Sequence, residues 1–438
     1  MSARGWRCAV CAATVDIAEA LVWRCPNAAD DDRQHALQPV PSPLPLPSQR
    51  TGDRNPYLAF RERLAWDGFA AANGLTDDAR AVVVAELDAC IATVAGTGFI
   101  ITPFGRANAL SDALGFADDG GIWVKDETGN VAGSHKARHL MTVLLHLVTA
   151  EHLGLAPWRS DDERPSLAIA SCGNAAIAAA TLALAVNWPL QVFVPTWAND
   201  AVLTRLRALD ADVVVCPRNP GDPPGDPCVH RFRQAVDGGA VPFSVQGTEN
   251  VWCLDGGRTI GWEMAAAPGG CDRVFVQVGG GALAASVAAG LGCGAHRASN
   301  RAGAPQVHAV QTASCAPLER AWQRAGALGG PALAAQHWSE CMWPWTPVGE
   351  SAADGILDDE TYDWLPVLDA MAATGGTPVV VIEADVIRAH DLARVHTAIP
   401  VSPTGSAGLA GLLAIRDEID QHERIAVIFS GAAADRTM

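Results

Sequence analysis

Lysine is almost missing from this chain: among 31 lysines and arginines, only Lys125 and Lys136 are lysines. Positive charge is scarce altogether. The formal net charge is -17, which excludes the basic surface that nucleic acid or an anionic membrane requires. Uninterrupted apolar runs are short, none free enough of charge and glycine to span a bilayer. Met1 to Val22 lacks an apolar run behind a basic start, so a cytoplasmic protein without a secretory leader is expected. The twelve cysteines are scattered, with Cys90, Cys216 and Cys271 inside apolar runs, which suits reduced thiols better than a disulfide framework. What is present is a 438-residue chain, 49% hydrophobic and 18% charged. It is long enough for two or three domains around a large core.

The shortage of lysine directs attention to the two that remain. An arginine cannot lose its proton, whereas a lysine amine brought to neutrality by burial can condense with an aldehyde. That chemistry points to pyridoxal 5'-phosphate. Two surviving surface charges would be the plainer explanation, and the neighbours of Lys136 decide against it. Ile122 to Glu127 reads as a buried strand, Thr128-Gly129-Asn130 as a turn, and Ser134 as the N-cap of a helix from about His135 to Leu153. Lys136 then lies in the first helical turn at a strand-to-helix junction, a common ligand position in an open α/β sheet.

Gly133-Ser134-His135-Lys136-Ala137-Arg138 resembles the lysine motif of fold-type II pyridoxal-phosphate enzymes, and is similar to that of threonine synthases. His135 stands in the motif's aromatic position, and Ala137 stands where threonine synthases often carry an acid. Thr102-Pro103-Phe104 resembles the family's lead-in segment. Further on, a strand at Ser166 to Ala170, the loop Ser171-Cys172-Gly173-Asn174 and a helix at Ala175 to Val186 resemble the family's Ser-x-Gly-Asn element. The resemblance implies that Asn174 meets the ring hydroxyl of the cofactor, while Ser134, Ser171, Cys172 and Gly173 bind the substrate. A helix cap at a crowded turn would use Gly and Asn as well.

Arg273 to Val278 is a strand that feeds Gly279-Gly280-Gly281-Ala282 and a helix from Ala282 to Leu291. Glycine amides at a helix N-terminus form an anion nest, suited to the cofactor phosphate. A dinucleotide fold is the rival, because Gly279, Gly281 and Ala284 fit its fingerprint loosely. That fingerprint needs an acid at the end of the next strand, and Val307 to Gln311 ends in glutamine. The strand Val379 to Glu383 and its following helix, then Thr404-Gly405-Ser406-Ala407, resemble later family segments. Ile425 to Phe429 is a strand ending in Ser430, which the resemblance places at the pyridine nitrogen. A neutral hydroxyl there favours elimination or replacement over racemisation.

The implied fold is α/β, with two open parallel-sheet domains: a large one from 51–140 and 245–438, and a smaller one from 141–244. Before them lies a degenerate zinc-ribbon-like segment, 1–38, and a proline-rich linker, 39–50, from which helix and central strand are excluded. In the ribbon, Cys8, Cys11 and Cys25 have ligand spacing, but Ala28 stands at the fourth position, which His35 or an acid from Asp30 to Asp32 could fill. Zinc is thus a conditional expectation. His135 and His139 have the spacing of a metal pair but lack the glutamate of a zincin motif, so they are read as packing residues.

The expected activity is elimination or replacement on a small-molecule amino-acid substrate, threonine-synthase-like, with Arg106, Arg138 or Arg258 as candidate donors to a substrate phosphate. The alternative is a β-eliminating ammonia-lyase or dehydratase acting on serine, threonine or a diamino acid. A non-catalytic amino-acid-binding protein is a third reading. A homodimer is implied by the resemblance alone.

Overall fold

The computed structural model describes residues 3–29, 31–41, 52–292 and 304–433. Three short strands come first: β1 (Ala3–Cys8), β2 (Thr14–Asp16) and β3 (Leu37–Pro41). They form an antiparallel sheet in the order β2-β1-β3. The expected proline-rich linker therefore begins inside a strand. Its prolines are tolerated because β3 is an edge, where a missing N–H costs no ladder bond. Positions 42–51, which hold the rest of that linker, lie outside the described residues.

The body of the chain builds two further sheets. Strands β4 (Phe104–Arg106) and β5 (Gly121–Asp126) begin the larger one. The chain then makes a four-stranded sheet from β6 (Leu167–Ala170), β7 (Leu190–Val194), β8 (Asp212–Val215) and β9 (Val241–Pro242). It returns with β10 (Arg273–Gln277), β11 (Gln306–Thr312), β12 (Pro378–Val381) and β13 (Arg424–Phe429). The larger sheet has the order β12-β11-β10-β13-β5-β4, parallel except for β4, and the smaller has the all-parallel order β8-β7-β6-β9.

Parallel strands covered by helices on both faces must be apolar throughout, and Ile425 to Phe429 are all buried. Each fully buried Val, Ile or Phe stabilises by about 1.5–3 kcal/mol relative to exposure. The helix Asn174–Ala185 is apolar around its whole circumference and is correspondingly enclosed. The helix Lys136–His152 buries most of its length against the helices Asn174–Ala185 and Trp252–Ala266.

In the larger sheet, β10 is flanked by β11 on one side and by β13 on the other, so the winding reverses between β10 and β13. Crevices outside the carboxyl ends of strands at such a reversal are where open α/β sheets bind ligands. Among the described residues, no helix is long and apolar enough to cross a membrane.

Candidate active site

The loops after β5, β10 and β13 carry Lys136, the glycine run and Ser430, and those three strands are neighbours in the sheet. The lysine loop and the last strand are laced together. His135 donates its amide and its Nδ1–H to the Ser430 carbonyl, both at 2.9 Å, and the Ala432 amide donates to the Gly133 carbonyl at 2.9 Å. Gln277, the last residue of β10, donates to the Ser430 hydroxyl at 2.7 Å and to the Gly405 carbonyl at 2.8 Å.

The smaller sheet contributes through β6. Its Ser171 to Asn174 loop ends at a helix N-terminus, and Asn174 Nδ2 donates to the Ala432 carbonyl at 3.1 Å. At Gly431 a Cβ would stand 2.7 Å from Ser134 Cβ and 3.1 Å from Asn174 Nδ2, so glycine is what lets these three segments meet. Within the loop, Ser171 Oγ accepts from the Gly173 amide at 3.3 Å. Burial pushes the Cys172 thiol up to about 11, so it is a neutral lining group at physiological pH.

Lys136 stands in the first turn of its helix, with its side chain half-buried in the cleft. Burial lowers its pKa, partly opposed by Asp358, Cys253 and Asp363. A lowered pKa makes the free amine more available for attack on an aldehyde. The two aspartates are themselves pushed up by burial, Asp358 to about 6 and Asp363 to about 7. Asp363 Oδ2 accepts from the Gly247 amide at 3.0 Å.

The glycine run has the expected backbone. Gly281 caps the helix Ala282–Leu291 with φ +97°, a left-handed conformation that disfavours any side chain. A Cβ at Gly281 would stand 3.0 Å from Thr361 Cγ2, and one at Gly279 would collide with Asp358 Oδ2. The nest is therefore covered by the 358–363 segment, and the Asp358 carboxyl takes a hydrogen bond from the Gly280 amide. On sequence alone the nest is open; the structure places an acid against it.

Two other expectations are corrected. His135, not Ser134, occupies the helix cap; Ser134 is extended, and its Oγ lies 3.4 Å from the Lys136 amide. The three arginines suggested for a substrate phosphate are committed to protein partners. Arg106 holds the Gly120 and Ala117 carbonyls and Asn108, and Arg258 pairs with Asp255 at 3.3 Å. Arg138 is wholly buried and bridges Glu127 at 2.8 Å and Glu263 at 2.5 Å. Lys125 completes that quartet against Glu263 and donates to the Thr102 carbonyl at 2.7 Å. Each histidine of the suspected metal pair donates its Nδ1–H to a carbonyl, His135 to Ser430 and His139 to Cys253. Burial first, then Lys136, keep His139 down at about 3, so it is neutral at physiological pH.

Residues 97–431 match the family described as pyridoxal-phosphate dependent enzymes. The chain belongs to that family. No curated protein sequence matches the chain. Among solved structures, maize serine racemase is similar with a TM-score of 0.57 at 18% identity, covering 82% of this chain and 94% of the racemase. A threonine deaminase from T.th. gives a TM-score of 0.57 at 21% identity, covering 81% of this chain and 98% of the deaminase. A fungal L-serine ammonia-lyase from Rhizomucor miehei gives 0.55 at 16% identity, covering 76% and 94%. At such identities the likeness concerns the fold.

The family's cofactor is pyridoxal phosphate, and the residues present fit it. A lysine whose pKa burial lowers, a glycine run with no room for a Cβ, a loop at a helix N-terminus and a hydroxyl after the last strand are brought together by neighbouring strands and by the bonds of Asn174 to Ala432 and of Gln277 to Ser430. Buried Gln277 Oε1 and His135 Nε2 have no protein partner. Sequence reasoning missed Asp358, Asp363, Cys253 and Gln277. The acid-rich run Asp358-Asp359-Glu360 was a visible signal, but nothing local ties it to a lysine more than two hundred positions earlier.

Proposed function

We propose that this protein is a pyridoxal-phosphate-dependent, β-eliminating ammonia-lyase that acts on a small amino acid with a hydroxyl or amino group on Cβ. The carrying observation is that two carboxyls, half-buried Asp358 and buried Asp363, interact electrostatically with Lys136, where a phosphorylated substrate would need cations. Bound pyridoxal phosphate supplies the sink for the electrons left at Cα. Lys136 would hold it covalently, with Gly279, Gly280, Gly281 and Ala282 at its phosphate, Asn174 at the ring oxygen and Ser430 at the ring nitrogen. Ser134, Ser171, Cys172 and Gly173 would bind the substrate, the loop amides taking its carboxylate.

For serine or threonine the proton balance runs through two side chains. Lys136 Nζ, freed once the substrate amine has taken its place, would take the proton from Cα, and the Cβ–O bond would break as Asp363 gives a proton to the departing oxygen. Water leaves, and hydrolysis of the resulting enamine gives a 2-oxo acid and ammonia. A carboxyl raised to about 7 is protonated in a large fraction of molecules at neutral pH, as a general acid requires. The neutral hydroxyl of Ser430 limits electron withdrawal by the ring, which supports elimination over racemisation.

Replacement chemistry of the threonine-synthase type is the second reading, favoured by the cysteine-bearing N-terminal sheet. Turnover with serine, threonine, 2,3-diaminopropionate and O-phosphohomoserine decides. Ammonia with a 2-oxo acid from one of the first three supports the lyase, and phosphate release with threonine formation replaces it. Binding without turnover of any of these would mean an amino-acid-binding protein. A cytoplasmic homodimer belongs to the same reading and is checked by light scattering of the purified protein.

A further inference from the structure

We infer that Cys8, Cys11, Cys25 and His35 form a closed tetrahedral site for a structural zinc ion. The sequence showed three ligands, an alanine where the fourth belongs, and His35 or an acid from Asp30 to Asp32 as candidates to replace it. In the folded sheet the fourth donor comes from the opposite side. The Ala9 amide donates to the Ala36 carbonyl at 2.9 Å, and Cys8 pairs with Leu37 across β1 and β3. That register sets His35, just before β3, beside Cys8. The first knuckle is a tight turn in which the Ala12 amide donates to the Cys8 carbonyl at 3.1 Å and Ala12 takes φ +59°. A second turn, closed by the Ala28 amide on the Cys25 carbonyl at 3.0 Å, presents Cys25.

The donor atoms have metal-site spacing. All four lie within 4.8 Å of one another. Cys11 Sγ and Cys25 Sγ are 3.6 Å apart, and Cys8 Sγ is 3.4 Å from His35 Nδ1. Tetrahedral zinc, with Zn–S near 2.3 Å and Zn–N near 2.0–2.1 Å, would set these edges at about 3.8 Å and about 3.6 Å. The sulfurs also receive the donors that stabilise thiolates: the Val10 amide on Cys8 and Asn27 Nδ2 on Cys11, each at 3.4 Å. His35 Nε2 meets Asp32 Oδ2 at 3.1 Å, the carboxylate contact that fixes the tautomer and turns Nδ1 towards the metal.

Four protein donors leave no position for water or substrate, so the ion holds structure and does no chemistry. What it holds is a brace on the helices behind the cleft. Trp6 packs edge-on to Trp252 at 5.1 Å, Trp252 Nε1 donates to the Val22 carbonyl at 2.9 Å, and the Leu21 amide donates to His146 Nε2 at 3.0 Å. His146 lies on the lysine helix. Gln34, next to His35, receives Trp364 Nε1 at 3.0 Å and donates to Glu360 at 3.1 Å, beside the segment that carries Asp358 and Asp363.

The test is the metal content of the protein purified from zinc-supplemented cells, followed by Co(II) substitution under reducing conditions. One zinc per chain and an intense tetrahedral Co(II) spectrum with thiolate charge transfer are expected. His35→Ala should lose most of the zinc. His35→Cys should keep the ion and strengthen the thiolate charge-transfer band, which distinguishes a lost ligand from a lost fold. Removing zinc should lower the melting temperature. A protein without zinc that gives no Co(II) spectrum, a Cys11–Cys25 disulfide in its place, or a His35→Cys spectrum identical to wild type overturns the assignment. None of these readouts uses catalysis, so the site stands or falls apart from the proposed reaction.

Discussion

Replacing Arg138 with methionine tests how the lysine helix is held. In the buried quartet Arg138 bonds Glu127 at 2.8 and 3.0 Å and Glu263 at 2.5 and 3.2 Å, with Thr259 at 2.9 Å and Thr102 at 3.1 Å. Lys125 and Arg138 balance the two carboxylates, so Arg138→Met leaves one uncompensated negative charge in a dry interior. Removing one partner from a buried pair costs roughly 3–5 kcal/mol, far more than the pair itself contributes over an apolar substitute. The deficit should shrink as the pH falls towards 5. In the intact protein burial pushes Glu127 up, and Arg138 and Lys125 outweigh it to leave the carboxyl below its ordinary value. Without Arg138 burial dominates and a proton neutralises the site. Restoring charge balance by adding Glu127→Gln should recover more than half of the loss. The assay is urea unfolding of the holoenzyme at pH 8 and pH 5, with exposed Arg207→Met as a control expected within about 0.5 kcal/mol of wild type. A loss below about 1 kcal/mol for Arg138→Met, or no recovery in the double variant, would refute the argument.

Further outcomes follow from the cleft. Lys136→Ala should abolish the visible cofactor band that borohydride traps in the wild type, and a variant that retains a reducible band would place the covalent site elsewhere. Asp358→Asn should tighten pyridoxal phosphate binding by about tenfold or more at pH 8, because like charges brought together cost up to several kcal/mol; equilibrium dialysis showing weaker binding would mean that the carboxyl assists the cofactor. Asp363→Asn should abolish the proposed elimination while retaining cofactor absorbance. The same variant should be more stable than wild type at pH 8 and indistinguishable near pH 4. A carboxyl at about 7 when folded, against 3.8 as its ordinary value, binds its proton more tightly in the native state. Its contribution therefore declines as pH rises between those values, by on the order of 4 kcal/mol. Equal stabilities at pH 8 would show that burial does not raise the Asp363 pKa.

The features legible in the sequence were those with local causes. The strand at β13, the glycine run ahead of Ala282 and the alanine-rich helix after Asn174 announce themselves through apolar runs, φ requirements and helix propensity. Lys136 stood out through scarcity and its flanking strand and turn. The rest depends on chain crossings. Arg138 looked like a free cation one turn from the cleft until Glu127 and Glu263, from β5's end and a distant helix, closed around it. His35 was one of several candidates for the fourth position in the ribbon, and strand register is what sets it, rather than a neighbouring acid, beside Cys8.

The scarcity of lysine also has a practical side. Lys125 is sealed beneath Glu263 with 0% exposure, whereas Lys136 remains partly accessible in the cleft. Among the side-chain amines, an activated ester or aldehyde probe therefore meets one target. Mass added per chain in an intact spectrum, corrected for the α-amino group, becomes a direct count of free clefts, and protection from labelling becomes a binding assay that needs no knowledge of the substrate.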